Sequence, residues 1–185
     1  SLTQGYGLPP EEGFVPQLQS WLEARGAEVE VLNAGVSGDT TAGGLSRVGW
    51  TLTPEVDAMI VALGGNDLLR GIDPGTSRAN LRGILEAAQA QDVPVLLVGL
   101  TAPGNYGPDY KAAFEAIYPD LAAEFGTLLA PSFLAPIEAR LDAGAERGTV
   151  LQDDGLHPNA EGVRLIVEAL GPHVLDLLAR ADAES

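Results

Sequence analysis

Ala58-Met59-Ile60-Val61-Ala62-Leu63 is an unbroken apolar run, and it passes directly into Gly64-Gly65-Asn66-Asp67. A strand with one wet face alternates polar and apolar residues. A strand apolar at every position is buried on both faces, as in parallel sheets covered by helices. The same reading applies downstream to Pro94-Val95-Leu96-Leu97-Val98-Gly99-Leu100 and to the shorter Thr127-Leu128-Leu129-Ala130, and upstream to Val29-Glu30-Val31-Leu32. Between these runs lie stretches with helical spacing. Glu11 to Arg25 carries Phe14, Leu18, Trp21 and Leu22; Ser77 to Gln91 carries Leu81, Ile84, Leu85 and Ala88. Thr40 to Gly49 is a weak helix, Tyr110 to Phe125 a helix, and residues 132 to 148 are helix and loop. Asn159 to Arg180 closes the chain with Val163, Ile166, Val167, Leu170, Val174 and Leu177 on one face. Strands alternating with helices predict an α/β fold with a parallel sheet flanked by helices. In such sheets ligands bind at the carboxyl ends of the strands. The polar punctuation falls there: Ser37 to Asp39, Asn66 and Asp67, and Thr101 to Asn105.

At 185 residues the chain is long enough for one hydrophobic core, and no linker or repeat divides it, so a single domain over 1–185 is expected. With 26 acidic against 10 basic residues it carries −16, and Lys111 is the single lysine. That balance lacks the cationic footprint of a nucleic-acid binder and disfavours anionic membrane surfaces. No apolar run approaches the ~20 residues that span a bilayer, so no membrane insertion is expected. There is no cysteine, which removes disulfides, thiolate metal sites and cysteine nucleophiles together.

Two histidines are available for acid–base work. His157 lies in Gln152-Asp153-Asp154-Gly155-Leu156-His157-Pro158, where an Asp three residues earlier can fold back on Nδ1 and leave Nε2 as a base. Pro158 suits the first turn of the following helix. On its own the motif is equally a solvated surface turn. His173 follows Gly171-Pro172 with no acid placed for it and reads as structural. Asn66, at a strand end beside two glycines, can donate its carboxamide to a developing oxyanion or simply shape a turn. Gly38 can offer a bare backbone N–H or be an ordinary turn glycine. Ser1, Ser37, Ser46, Ser77 and Ser132 are all conceivable nucleophiles, and spacing does not choose among them. Asp39, Asp67, Asp153 and Asp154 would suit a divalent-metal hydrolase, but read better as turn and capping residues, so no metal is expected.

Four blocks in order resemble the SGNH (GDSL) hydrolase family. Ser1-Leu2-Thr3-Gln4-Gly5-Tyr6-Gly7 is similar to the tail of its Gly-Asp-Ser-Leu signature. Asn33 to Thr40 resembles its glycine block, Gly64-Gly65-Asn66-Asp67 its Gly-x-Asn-Asp block, and Asp154-Gly155-Leu156-His157-Pro158 its Asp-x-x-His block. Leu63 to Gly71, Pro103 to Gly107 and Ala116 to Pro119 carry a closer resemblance to the bacterial thioesterase/lysophospholipase/arylesterase group. The resemblance implies a three-layer α/β/α, flavodoxin-like fold and an acyl-enzyme route through Ser1, His157 and Asp154, with no metal or organic cofactor. It implies an oxyanion hole of the Ser1 and Gly38 backbone N–H groups and the Asn66 side chain. The substrate would be a small acyl ester or thioester. Leu68, Leu69, Asn105 and Tyr106 would contact it, the apolar residues favouring an acyl chain over a sugar.

A carbohydrate O-deacetylase of the same family is the alternative, with a catalytically silent ligand-binding domain and an N-terminal-nucleophile enzyme behind it. The compartment stays open, the resemblance pointing to a periplasmic or secreted setting, and the oligomeric state is not legible. The family's first strand and Gly-Asp precede the serine, so an apolar strand is expected before Ser1 in the natural polypeptide.

Overall fold

The computed structural model describes residues 1–184. They form two compact units: Ser1–Gly38 with Leu134–Leu175, and Asp39–Phe133 with the chain from Asp176 onward.

The second unit is built on β2 (Val95–Val98), whose four residues are all buried. β1 (Met59–Val61) and β3 (Leu128–Ala130) flank it, both parallel to it, in the order β1-β2-β3. Register pairs Ile60 with Leu96 and Leu97 with Leu129. Parallel neighbours need crossovers, which are helical here. α4 (Pro74–Gln89) links β1 towards β2, and α5 (Pro108–Phe125) links β2 to β3. α2 (Thr41–Thr51) packs on α4, and α4 on α5. α4 starts where Asp73 accepts from Gly75 and Thr76 N–H at 3.0 and 3.3 Å, with Pro74 in the first turn. An aspartate cap and a proline that lacks a donor together satisfy an end that would otherwise leave orphan N–H groups. Its Leu81, Ile84, Leu85 and Ala88 then meet Phe114, Ile117, Tyr118 and Leu121 of α5 in the core.

The Gly-Gly-Asn-Asp block forms a helical turn at the end of β1: α3 spans Gly65–Leu69. Gly64 enters it at φ +127°, and a Cβ there would meet the Tyr118 hydroxyl at 2.1 Å. Tyr118 uses that space to donate to the Leu63 carbonyl at 2.7 Å. Tyr106, Tyr110, Phe114 and Tyr118 stand at four-residue spacing, with neighbouring ring centroids 4.9, 6.2 and 5.9 Å apart. The Tyr110 hydroxyl donates to Ile72 O at 2.7 Å, so this ladder grips the chain on both sides of α3.

In the first unit α1 (Phe14–Glu23) buries Phe14, Val15, Leu18 and Leu22. α6 (Ala135–Asp142) buries Ile137, and α7 (Ala160–Glu184), which belongs to this unit as far as Leu175, buries Val163, Ile166, Val167, Leu170 and Val174. Trp21 of α1 lies against Gly171 of α7, where even a Cβ would come within 2.6 Å of its ring, and Arg25 stacks its guanidinium 3.5 Å over the same ring. Trp50 on α2 of the other unit is 86% exposed.

Two expectations are corrected. Residues 29–32 are extended but belong to no sheet among the described residues. The Gln19 side chain takes the place of a ladder neighbour, donating to Val29 O at 2.8 Å and accepting from Val31 N–H at 2.7 Å. Pro158 does not open α7. It pairs with Leu151 in an isolated antiparallel bridge, and Asn159 caps the helix, accepting from Gly162 N–H at 2.9 Å.

Candidate active site

The turn 152–157 is closed at its base by the Leu151–Pro158 bridge, by Gln152 N–H donating to His157 O at 2.8 Å, and by Asn159 N–H donating to Val150 O at 3.1 Å. Within it Asp154 folds back as its spacing suggested. Oδ1 accepts from the Leu156 and His157 N–H groups at 2.9 and 3.0 Å, and Oδ2 lies 2.5 Å from His157 Nδ1. Those contacts, the His157 N–H first and its ring second, lower the Asp154 carboxyl from its ordinary 3.8 to about 2. An ionised carboxylate only accepts, so Nδ1 carries the imidazole proton and Nε2 keeps a free lone pair. Ser1 Oγ lies 3.1 Å from that Nε2.

Ser1 begins a run of turns in which its carbonyl accepts from Gly5 and Tyr6 N–H at 3.0 and 3.2 Å. The Tyr6 ring leans over the imidazole, with centroids 4.6 Å apart and planes inclined by 41°. The glycine block lies alongside. Asn33 Nδ2 donates to Thr3 O at 3.3 Å, and Ser37 Oγ donates to Gln4 Oε1 at 2.8 Å. That places Gly38, exposed and at φ +77°, at the end of a loop tied to the turn that Ser1 begins.

The other serines have different duties. Ser46 Oγ donates to Gly43 O at 2.8 Å, Ser77 Oγ to Asp67 at 2.6 Å, and the Ser132 hydroxyl is buried without a hydrogen-bond partner. Among the described residues Ser1 is thus the one serine whose hydroxyl meets a histidine. His173 sits half-buried on α7.

In the second unit Asn66 Nδ2 donates to Asp39 O at 2.8 Å. Asp67 is no turn or capping residue. It is fully buried and accepts from Thr41 N–H at 2.8 Å, Thr41 Oγ1 at 2.6 Å and Ser77 Oγ at 2.6 Å. One carboxylate thereby joins α2, α3 and α4. Asp39 is held by Arg47, at 2.6 Å. Of the four residues expected to contact substrate, Leu68 is a core residue at 7% exposure, while Leu69 is 64% and Tyr106 41% exposed. α3 turns the two leucines to different faces, and only the second is open. Asn105 lies exposed in a 3-10 turn, Gly104–Tyr106. The sequence reading missed Gln152, Tyr6 and the buried role of Asp67; the four-residue spacing of the α5 aromatics was the one local signal it left unused.

Residues 1–165 match the model of the GDSL-like Lipase/Acylhydrolase family. Esterase TesA of Pseudomonas aeruginosa is 38% identical over 179 residues, covering 96% of this chain and 86% of that protein. Thioesterase 1/protease 1/lysophospholipase L1 of Escherichia coli (strain K12) is 34% identical over 179 residues, covering 96% of this chain and 81% of that one. The crystal structure of TesA superposes with a TM-score of 0.84 at 37% identity, over 96% of this chain and 95% of the other. The fold class is the three-layer α/β/α arrangement with a parallel sheet that such neighbours share.

Proposed function

The chain belongs to the GDSL-like lipase/acylhydrolase family and is a carboxylic ester hydrolase; from that premise we propose that Ser1, His157 and Asp154 cleave esters and thioesters through an acyl-enzyme. The observation that carries this reading is the unbroken line Asp154 Oδ2–Nδ1 His157 Nε2–Oγ Ser1, at 2.5 and 3.1 Å. Ser1 Oγ attacks the acyl carbon while Nε2 takes the hydroxyl proton, and the carbonyl becomes an oxyanion. The bond to the leaving oxygen or sulfur then breaks, and the imidazolium returns its proton to the leaving group. Water attacks the acyl-Ser1, Nε2 takes the water's proton, and its return to Oγ regenerates the serine. Asp154 stays ionised throughout and stabilises the imidazolium. On the motif match, the Gly38 and Ser1 N–H groups and the Asn66 carboxamide receive the oxyanion. The exposed Leu69 and Tyr106 are the residues we assign to the acyl chain.

The test is hydrolysis of p-nitrophenyl and thioester substrates of graded chain length. Ser1→Ala and His157→Ala should each lower kcat by roughly 10⁴ or more. Asn66→Ala should lower it about 10²–10³-fold with little change in KM. His173→Ala should leave it unchanged. An active His157→Ala beside an inactive His173→Ala refutes the base assignment. Faster release of acetate from acetylated sugars than from simple esters would favour the carbohydrate O-deacetylase instead.

A further inference from the structure

Nucleophile and base come from opposite ends of the first unit, and no helix or strand contains both. Something must therefore fix the gap between the turn of Ser1 and the turn of His157. The Gln152 side chain spans it. Its Nε2 donates to Tyr6 O at 2.8 Å and to Pro158 O at 2.9 Å, so both amide hydrogens are used, one on each turn. Its backbone belongs to the base's turn, donating to His157 O at 2.8 Å and accepting from Gly155 N–H at 2.9 Å. Gly7 follows Tyr6 at φ +77°, and a Cβ there would lie 2.1 Å from Gln152 Oε1. The bare glycine is what lets the amide close against the nucleophile's turn.

We propose that Gln152 is a positioning residue that sets the distance from Ser1 Oγ to His157 Nε2 by bridging Tyr6 and Pro158. This rests on the Ser1–His157–Asp154 reading and adds to it what holds the first two members in register. Nδ1 is fixed locally by Asp154, inside one turn. The 3.1 Å contact at Nε2 has no such local support. Tyr6 gains twice from the bridge: its carbonyl is anchored and its ring is kept against the imidazole face, which opposes tilting about the Asp154–Ser1 line. The carboxamide supplies two donors to two carbonyls without adding a charge. Methionine matches its reach and supplies none. Glutamate matches its reach and turns a negative oxygen on both carbonyls.

The experiment compares Gln152→Met and Gln152→Glu with the natural chain. Active sites are counted by labelling with a p-nitrophenyl phosphonate, turnover is measured on p-nitrophenyl butyrate, and the low-field Nδ1 proton of His157 is followed by NMR. Expected is a fall in kcat per labelled site of about 10–100-fold for methionine, since misplacement on the ångström scale costs on that order. Glutamate should fall further, KM should move little, and the low-field proton should persist in both because Asp154 is untouched. Unchanged kcat per site in the methionine variant overturns the proposal, whatever its melting temperature. Loss of the low-field proton together with activity also overturns it, since Gln152 would then merely build the base's turn. A natural chain that neither labels nor turns over refutes the esterase reading itself, a result distinct from either of these.

Discussion

Asp154 is the residue on which the pH behaviour turns. Its carboxyl titrates at about 2 against an ordinary 3.8, because three hydrogen bonds favour the charged form. A depressed carboxyl contributes stability that is complete above the ordinary value and disappears as pH falls through the lowered one. Above pH 4 Asp154 is thus an anion, and kcat/KM should show no ionisation in the ordinary carboxyl range. A break in the pH profile between about 3.5 and 4.5 would contradict this. Asp154→Asn should keep the acceptor for the Leu156 and His157 N–H groups but present an NH₂ group to Nδ1. That forces the proton onto Nε2, and kcat should fall by roughly 10⁴ while the fold survives. The pair was legible from a three-residue spacing because both partners share one turn. The contact of His157 with Ser1 was not legible from spacing, since 156 residues separate the two. Gln152 escaped notice for the same reason: its telling contact, with Tyr6, spans 146 residues.

Periodicity identified the longer helices, and unbroken apolar runs the three paired strands, because burial writes itself into local sequence. Local pattern misread two segments whose hydrogen bonds are settled by distant side chains. Residues 29–32 have strand composition, yet Gln19 satisfies their backbone in place of a ladder. Gly64 to Asp67 have loop composition, yet Asp67 is a buried anchor for α2, α3 and α4. Replacing Asp67 by alanine would leave the Thr41 N–H and two hydroxyls without their acceptor. At ~1–3 kcal/mol for each buried donor left unpaired, the loss should exceed that of any surface change, and thermal unfolding measures it. Thr41→Val removes one of the three bonds and should cost less than Asp67→Ala. Equal losses would mean that the carboxylate is not shared among the helices as the geometry indicates.

Across the whole molecule the −16 charge sets which substrates approach readily. An acyl-CoA is a polyanion and meets long-range repulsion, whereas a p-nitrophenyl ester is neutral. The Debye length shrinks from ~30 Å at 0.01 M salt to ~8 Å at 0.15 M. Over that range kcat/KM for acyl-CoA should rise, and that for the neutral ester should stay nearly flat. A parallel response of both substrates would place the effect on the protein's stability rather than on encounter. The two tryptophans add an optical consequence. Trp50 is almost fully hydrated in the native state, so unfolding changes its surroundings little. Trp21, packed on Gly171 under the Arg25 guanidinium, has everything to lose. A Trp50→Phe chain would therefore carry one fluorophore, in the unit that holds Ser1 and His157. Its emission would report the melting of that unit by itself, against a far-ultraviolet dichroism that registers every helix at once.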